Sequence, residues 1–429
     1  MGWVLFIGFI VLILLRVPIT MAMGMAVLAA VVTAGFSDQL YIMPRMVADG
    51  VENPALLAVP FFIMAGNLMN AVGMTDKIFN FASALVGHFR AGLAQVNVLA
   101  SMIFAGVSGS AVADMAGLGT VEVKAMRERG YPVEYAGALT IATACIGPII
   151  PPSIALVIYG YLANTSIGRL FLGGVVPGIL IGLSLMIYNR IVATRRDFPR
   201  EPRASVREVA THAVDGIAAL VAPAIILGAI VTGYTTATEA GVLACAYSLL
   251  LGIVYRTLTF SKLWDATTRT LKVTAVIMMI IGFSHVMGWL LAIEQLPQAM
   301  AEAVLLTTQD RHVFLALLIV FLLAIGCVIE GVPAKIILIP ILLPITDQFG
   351  IDRVHFGLII VYALLLGLAT PPMGVGVYIM VGITGKSFEE LTLAVLPFLI
   401  PLSIVLILIT YIPELTLWLP DLIMGPQQY

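Results

Sequence analysis

Long apolar runs closed by short polar patches repeat along the whole chain. Runs of the length needed to cross about 30 Å of hydrocarbon lie near 2–15, 19–35, 55–72, 133–163, 168–193, 212–233, 237–255, 272–292, 354–384 and 392–412. They predict about ten transmembrane helices. Two further apolar stretches, 91–126 and 313–346, are interrupted midway by Ser108-Gly109-Ser110 and by Glu330-Gly331-Val332-Pro333. These predict re-entrant helical hairpins. Backbone that turns at membrane depth persists only where it is buried in protein or lines a wet cavity, so both tips are expected to be internal and functional.

The longest polar stretch, from Thr194 to His212, carries Arg195, Arg196, Arg200, Arg203 and Arg207. It predicts a basic cytoplasmic linker over 194–211 between a first half, 1–193, and a second, 212–412, with a tail over 413–429. At the other end the chain runs apolar from Gly2 to Leu15, and its first positive charge, Arg16, follows the run. A signal peptide has the reverse order, so this segment is expected to be retained as a span.

Composition agrees with the pattern: 61% of residues are apolar and 11% charged, against about 45–50% and about 25% in soluble domains. A water-soluble surface cannot be built from that mixture. The 39 glycines and 23 prolines sit inside apolar runs, where membrane helices tolerate them. Cys145, Cys245 and Cys327 are far apart in apolar segments and suggest neither a disulfide framework nor a thiolate metal site. The net charge is −2, and the basic residues form no stripe suited to nucleic acid.

Their placement reports topology instead. Positive clusters occur at Arg16, Lys77 with Arg90, Lys124 with Arg127 and Arg129, Arg190 to Arg207, Arg256 to Lys272, and Lys386. With ten crossings and an external N-terminus, all of them fall on the cytoplasmic side. Arg45, Arg169, Arg311 and Arg353 then lie outside, and Lys335 lies within the second hairpin.

Sliding the chain against itself by 220 positions pairs Gly106, Gly130, Gly137 and Gly147 with Gly326, Gly350, Gly357 and Gly367, and pairs Pro151, Pro152 and Pro177 with Pro371, Pro372 and Pro397. Glycine and proline constrain the backbone most strongly, so one backbone shape is expected twice. The first hairpin is flanked by Arg90, Lys124, Arg127 and Arg129, the second by Glu294, Glu302, Asp310, Asp347 and Asp352. Equivalent elements are thus expected to face opposite sides of the membrane. The fold expected is an all-α polytopic membrane protein with an inverted-topology repeat, which in secondary transporters places solute and coupling-ion sites at the repeat interface.

Within Gly147-Pro148-Ile149-Ile150-Pro151-Pro152-Ser153, each proline lacks an N–H and disrupts the helix bond to the carbonyl four residues back. The carbonyls of Gly147 and Pro148 are expected to be open. Past the break, the N–H groups of Ser153, Ile154 and Ala155 start a new helix, whose partially positive end suits a carboxylate. Gly367 to Met373, with Thr370, Pro371 and Pro372, repeats the arrangement. Exposed carbonyls of this kind suit sodium.

Around the tips, Asp114 either caps the second helix of its hairpin or balances a bound cation. Glu330, at the position equivalent to Ser110, either pairs with Lys335 or leaves that lysine to bind solute as a point charge. Glu239 reads as a structural pin at a span boundary. The residues assigned to solute are Ser108, Ser110, Ser153, Glu330, Lys335, Met373 and Gly374. Those assigned to sodium are Ser108, Gly109, Asp114, Gly147, Pro148, Gly331, Gly367 and Thr370.

A different class also fits two short strings. Gly106-Val107-Ser108-Gly109 and His285-Val286-Met287-Gly288 match the Gly-x-Ser-Gly and His-x-x-Gly of rhomboid-type intramembrane proteases. A serine nucleophile needs a base within hydrogen-bond reach. That reading leaves both Pro-Pro breaks and the second repeat without a role.

Taken together, Val59-Pro60-Phe61-Phe62-Ile63-Met64-Ala65-Gly66-Asn67, Ser108 to Asp114, Gly147 to Ser153, Thr238-Glu239-Ala240 and His355-Phe356-Gly357 with Thr370-Pro371-Pro372 resemble the large membrane subunit of the tripartite ATP-independent periplasmic (TRAP) transporters over nearly the whole chain. The resemblance implies an elevator-type, sodium-coupled importer of the bacterial inner membrane, whose two hairpins and two broken helices form a mobile domain. It implies a small four-helix membrane subunit, here as a separate chain, and a periplasmic binding protein that delivers an organic acid such as a dicarboxylate, keto acid or sialic acid. It implies no cofactor and no nucleotide motif. Carried over by motif, Ser108, Gly109 and Ser110 with Gly147 to Ser153 form one sodium-bearing half-site, and Glu330 and Gly331 with Gly367 to Gly374 form the other. Ala363, where the family often has Asn, and Lys335, where it usually has an apolar residue, depart from the pattern. A stand-alone ion-coupled carboxylate carrier of similar plan is the remaining alternative.

Overall fold

The computed structural model of the chain describes residues 2–15, 17–33, 35, 37–195, 198, 202–371 and 374–426. The expectations placed on Arg16, Arg196, Arg200, Pro372 and Met373 fall outside them. Among the described residues there is no strand, and nearly every segment is helical.

In the first half, α1 (Gly2–Leu14) and α2 (Ile19–Thr33) pack together, and a 3-10 turn over Ser37–Ile42 leads into α3 (Met43–Asp49). A second such turn, Pro54–Leu57, opens onto α4 (Ala58–Ala71), followed by α5 (Met74–Val86). The first interrupted unit is α6 (Gly92–Ser108), α7 (Ala111–Ala116) and α8 (Leu118–Glu128). A broken helix, α9 (Val133–Ala144) and α10 (Ile154–Leu162), and the long α11 (Ile167–Arg195) complete the half.

The second half begins with α12 (Val206–Val231), α13 (Ala237–Val254), α14 (Phe260–Ile293) and α15 (Leu296–Thr307). Its interrupted unit is α16 (Arg311–Gly326) with α17 (Gly331–Gln348), and its broken helix is α18 (Arg353–Leu368) with α19 (Val375–Thr384). α20 (Phe388–Tyr411) and α21 (Glu414–Met424) close the chain.

Local chemistry sets most of these boundaries. Ser205 with Glu208, Thr236 with Glu239 and Ser387 with Glu390 each form a capping box that starts a helix, satisfying orphan N–H groups reciprocally. The Glu239 carboxylate accepts from the Thr236 N–H at 2.7 Å and from the Thr236 hydroxyl at 3.0 Å. Its place is the structural one expected of it. α6 stops where Gly109 turns left-handed at φ +60°, a conformation glycine adopts at little cost.

Among the described residues, six helical segments are long and apolar enough to cross a membrane: Pro54–Ala71, Ile167–Thr194, Ala237–Val254, Phe260–Ile293, Gly331–Gln348 and Phe388–Tyr411. Val206–Val214 and Gly216–Val231 make a seventh if that pair, bent by 41°, counts as one span. The other segments on which the expectation of ten rests are α1 and α2, of 13 and 15 residues, and the two broken helices. At 1.5 Å per residue, none of these pieces spans the hydrocarbon as one straight helix. The stretch expected as a tail contains α21, which packs on α11.

The 220-position offset reappears in the element order. Val133 and Arg353 start matched helices at an offset of 220, and Ile154 with Val375 and Ile167 with Phe388 follow one position later. Moreover, the Cys145 thiol lies 3.8 Å from the carbonyl of Leu365, the residue 220 positions on. A residue touching its own repeat mate marks the seam where the halves meet. Across that seam the Tyr159 hydroxyl donates to the Arg353 carbonyl at 2.5 Å, and the Tyr159 and Phe356 rings meet edge to face at 6.0 Å. On the outside, α4 packs against α6, α13 and α14, and α5 packs against α6 and α12.

Candidate functional site

At the first tip, Gly109 rests directly on the start of α10. A Cβ on Gly109 would stand 2.6 Å from the Pro152 carbonyl, 3.2 Å from the Ser153 Cα and 3.3 Å from the Ile154 nitrogen. Only a residue without a side chain permits that approach. The Ser110 hydroxyl accepts from the Ala113 N–H at 3.5 Å and starts α7, and the Ser108 hydroxyl donates to the Ser110 carbonyl at 3.3 Å. Gly66, in the Val59–Asn67 motif, lets α4 approach this tip: a Cβ there would stand 3.2 Å from the Val107 carbonyl. Ser108, Gly109, Ser110 and Ser153 are therefore brought together.

Asp114 does not cap the hairpin's second helix, because Ser110 does. Asp114 lies on α7 and is buried; neither oxygen has a hydrogen bond of good geometry among the described residues, and the Ser108 hydroxyl is the polar group beside it. The carboxylate occupies the space beside Gly147 that a side chain there would fill. A buried carboxylate short of donors is costly and leaves lone pairs available to a cation.

The first break differs from expectation at one atom. The Pro148 carbonyl is not open: the Ser153 hydroxyl donates to it at 2.6 Å and also accepts from the Leu156 N–H at 3.2 Å. Ser153 is thus both a cap and a clasp across the break. The Gly147 carbonyl accepts no hydrogen bond among the described residues, and the N–H groups of Ile154 and Ala155 donate none.

At the second break, Gly367 and Gly326 meet backbone to backbone, and a Cβ on Gly367 would stand 2.8 Å from the Cys327 nitrogen. The end of α16 thereby reaches the end of α18. The Gly367 carbonyl accepts from the Thr370 N–H at 2.9 Å, and the Thr370 hydroxyl donates to the Leu366 carbonyl at 2.7 Å. Both groups expected to hold sodium are engaged in their own turn, which leaves them only as acceptors through remaining lone pairs. Gly374, at φ +34°, starts α19, and a Cβ on it would stand 3.3 Å from the Thr370 carbonyl. Pro371 lies in the turn of the break.

Glu330 and Lys335 share the start of α17. Glu330 supplies no side-chain cap, and the two form no ion pair within 4 Å. The two charges act on each other without a contact ion pair. Ala363 is fully buried in α18.

The sequence did not reveal a second buried carboxylate. Glu122 on α8 accepts from the Ser101 hydroxyl at 3.3 Å and from the Thr140 hydroxyl at 3.2 Å. Asn97 donates to Thr140 at 3.0 Å and accepts from Thr143 at 2.9 Å. Three helices, α6, α8 and α9, contribute to this network. At the 220 offset Ser101, Glu122, Thr140 and Thr143 become Phe321, Leu342, Ile360 and Ala363. That contrast was the available cue, hidden beside Lys124 and Arg127.

Ser108 and His285 do not meet. Ser108 serves its own tip, whereas His285 packs on Gly50 and lines a cavity of about 640 Å³ with Tyr161, Trp289 and Gln298. No hydrogen bond joins the two, so the geometry a serine protease requires is not formed.

Interrupted helical units whose tips rest on paired broken helices define a polytopic membrane transporter rather than a helical bundle built only for support. The family model for the tripartite ATP-independent periplasmic transporter, DctM component, matches residues 6–415, and the chain belongs to that family. It is 40% identical to the sialic acid TRAP transporter large permease protein SiaM of Vibrio cholerae, over 97% of this chain and 98% of that protein. It is 38% identical to the C4-dicarboxylate TRAP transporter large permease protein DctM of Pseudomonas aeruginosa, over 86% of this chain and 87% of that one. The fold resembles the crystal structure of the Alcanivorax borkumensis YdaH transporter, with a TM-score of 0.63 at 14% identity, covering 87% of this chain and 89% of that one.

Proposed function

We propose that this chain is the large membrane subunit of a sodium-coupled secondary importer of a small organic acid, with its N-terminus on the periplasmic side of a bacterial inner membrane. A small four-helix membrane subunit braces it, and a periplasmic binding protein delivers the solute. The observation that carries this reading is the seating of Gly109 on the Pro152–Ser153 break, with the buried Asp114 carboxylate, which lacks a well-formed hydrogen bond among the described residues, beside Gly147. A cation there satisfies Asp114 and the open Gly147 carbonyl, and the nearby N–H groups of Ile154 and Ala155 offer a partially positive helix start to a carboxylate. The names of the sialic acid and C4-dicarboxylate relatives support an acidic solute.

In an elevator mechanism the two hairpins and two broken helices move together, so cation and solute cross while held by the same elements. The test is uptake into liposomes holding this chain and its small subunit, with cognate binding protein added and sodium or proton gradients imposed separately. Accumulation driven by sodium and requiring the binding protein is expected. Uptake without binding protein would support a stand-alone carrier, and uptake driven by protons alone would remove sodium.

A further inference from the structure

Lys335 is 2% exposed, yet it lies in the second turn of α17 with its ammonium folded back toward the helix start. Its Nζ is 3.4 Å from where a Cβ on Gly331 would stand. That end of a helix already carries partial positive charge, so an ammonium placed there raises the local potential further. Among the described residues no carboxylate lies within 4 Å of it and no hydrogen bond engages it.

The helix start itself is open. Glu330 gives no side-chain cap, Pro333 has no N–H, and Ala334 is the first residue to bond back, to the Glu330 carbonyl at 3.1 Å. The N–H groups of Gly331 and Val332 are left without partners among the described residues. Above them the tip is accessible: Val328 is 43% exposed, and Ile329, Glu330 and Val332 are half-buried. The equivalent start in the first repeat is built with the opposite sign, since Ser110 caps α7 and the charged side chain in it is Asp114.

We propose that the start of α17 is a second anion-binding position, in which Lys335 and the N–H groups of Gly331 and Val332 hold an anionic group of the solute, so that this transporter selects solutes bearing two anionic groups. This inference rests on the transporter reading above. The first anionic group sits at a broken-helix start, and Lys335 is the residue that sets the requirement for the other. Glu330, at the rim, opposes anions and sharpens the selection against loosely held ones.

Uptake in the reconstituted complex tests this, with succinate as a dianionic and sialic acid as a monoanionic probe. Lys335→Met is expected to raise the KM for succinate roughly tenfold or more, the scale of a lost charged hydrogen bond, and to change that for sialic acid little. Lys335→Arg should hold the succinate KM within a few-fold, and Glu330→Gln should lower it. A plain internal ion pair predicts instead that Lys335→Met and Glu330→Gln lower stability alike and shift neither KM selectively. That result, or equal changes for both acids, overturns the inference while leaving the transporter reading intact. Absence of sodium-driven, binding-protein-dependent uptake of any organic acid overturns that reading itself.

Discussion

The Asp114 carboxylate fills the space beside Gly147, so an acid on the hairpin and a glycine at the helix break exclude any side chain at position 147. Gly147→Ala therefore forces the carboxylate away from the break. Overpacking of this kind costs about 1–3 kcal/mol. A lower melting temperature in detergent and a loss of sodium-driven uptake are expected; unchanged uptake would remove Asp114 and Gly147 from the cation position.

Pro151→Ala and Pro371→Ala each return a backbone donor and relax the break. Transport should fall by roughly ten- to a hundredfold, because a displacement near 1 Å at a positioning site can cost about 10²-fold. Folded protein, judged by helical circular dichroism and size-exclusion profile, should be retained. Full activity in both variants would mean that the breaks are not where solute and ion are held.

Glu122→Leu copies the residue of the second repeat, Leu342, into the first. It strands the Ser101 and Thr140 hydroxyls, each about 1–3 kcal/mol when left without a partner in the interior. Glu122→Gln keeps an acceptor and a similar shape and should be clearly milder. Equal melting temperatures for the two would show that the network does not stabilise the α6–α8–α9 unit.

Arg169 is buried near the start of α11, where its guanidinium pairs with Asp421 and donates to the Gly425 carbonyl at 2.6 Å. This is the latch that holds α21 in place. Arg169→Ala should free residues 413–426 to proteolysis and cost about 1–3 kcal/mol; an unchanged digestion pattern would contradict it.

Asp310 caps α16, and the N–H groups of Val313 and His312 hold its carboxyl below the ordinary range. A folded-state value below the unfolded one means that the carboxylate stabilises the hairpin at and above the ordinary carboxylate range, and that this is lost as pH falls through the lower, folded value. Asp310→Asn should flatten acid unfolding in that window, lowering stability at neutral pH by the charge-linked part and matching the wild type in acid. A wild-type acid slope in the variant would show that the cap does not titrate with folding.

Much of the molecule was legible in the chain because its strongest cues are local. Runs of apolar residues must lie in hydrocarbon or in the core, and glycine or proline restricts the backbone wherever it stands, so the interruptions at Gly109, Gly147 and Gly367 could be read without coordinates. The repeat was legible for the same reason. Which apolar runs form single straight helices was not, since hydropathy alone runs through α9–α10 and α18–α19 and takes no account of helix length in α1 and α2.

What only the tertiary structure decided is which polar atoms meet. Glu122 finds Ser101 and Thr140, 21 and 18 positions away on other helices, Ser153 closes the Pro148 carbonyl instead of leaving it open, and Lys335 turns toward its own helix start without a contact ion pair to Glu330. Such encounters depend on how helices approach one another and on rotamers set by packing. No periodicity along the chain encodes them, whereas the backbone breaks that bring them about are written in the residue types themselves.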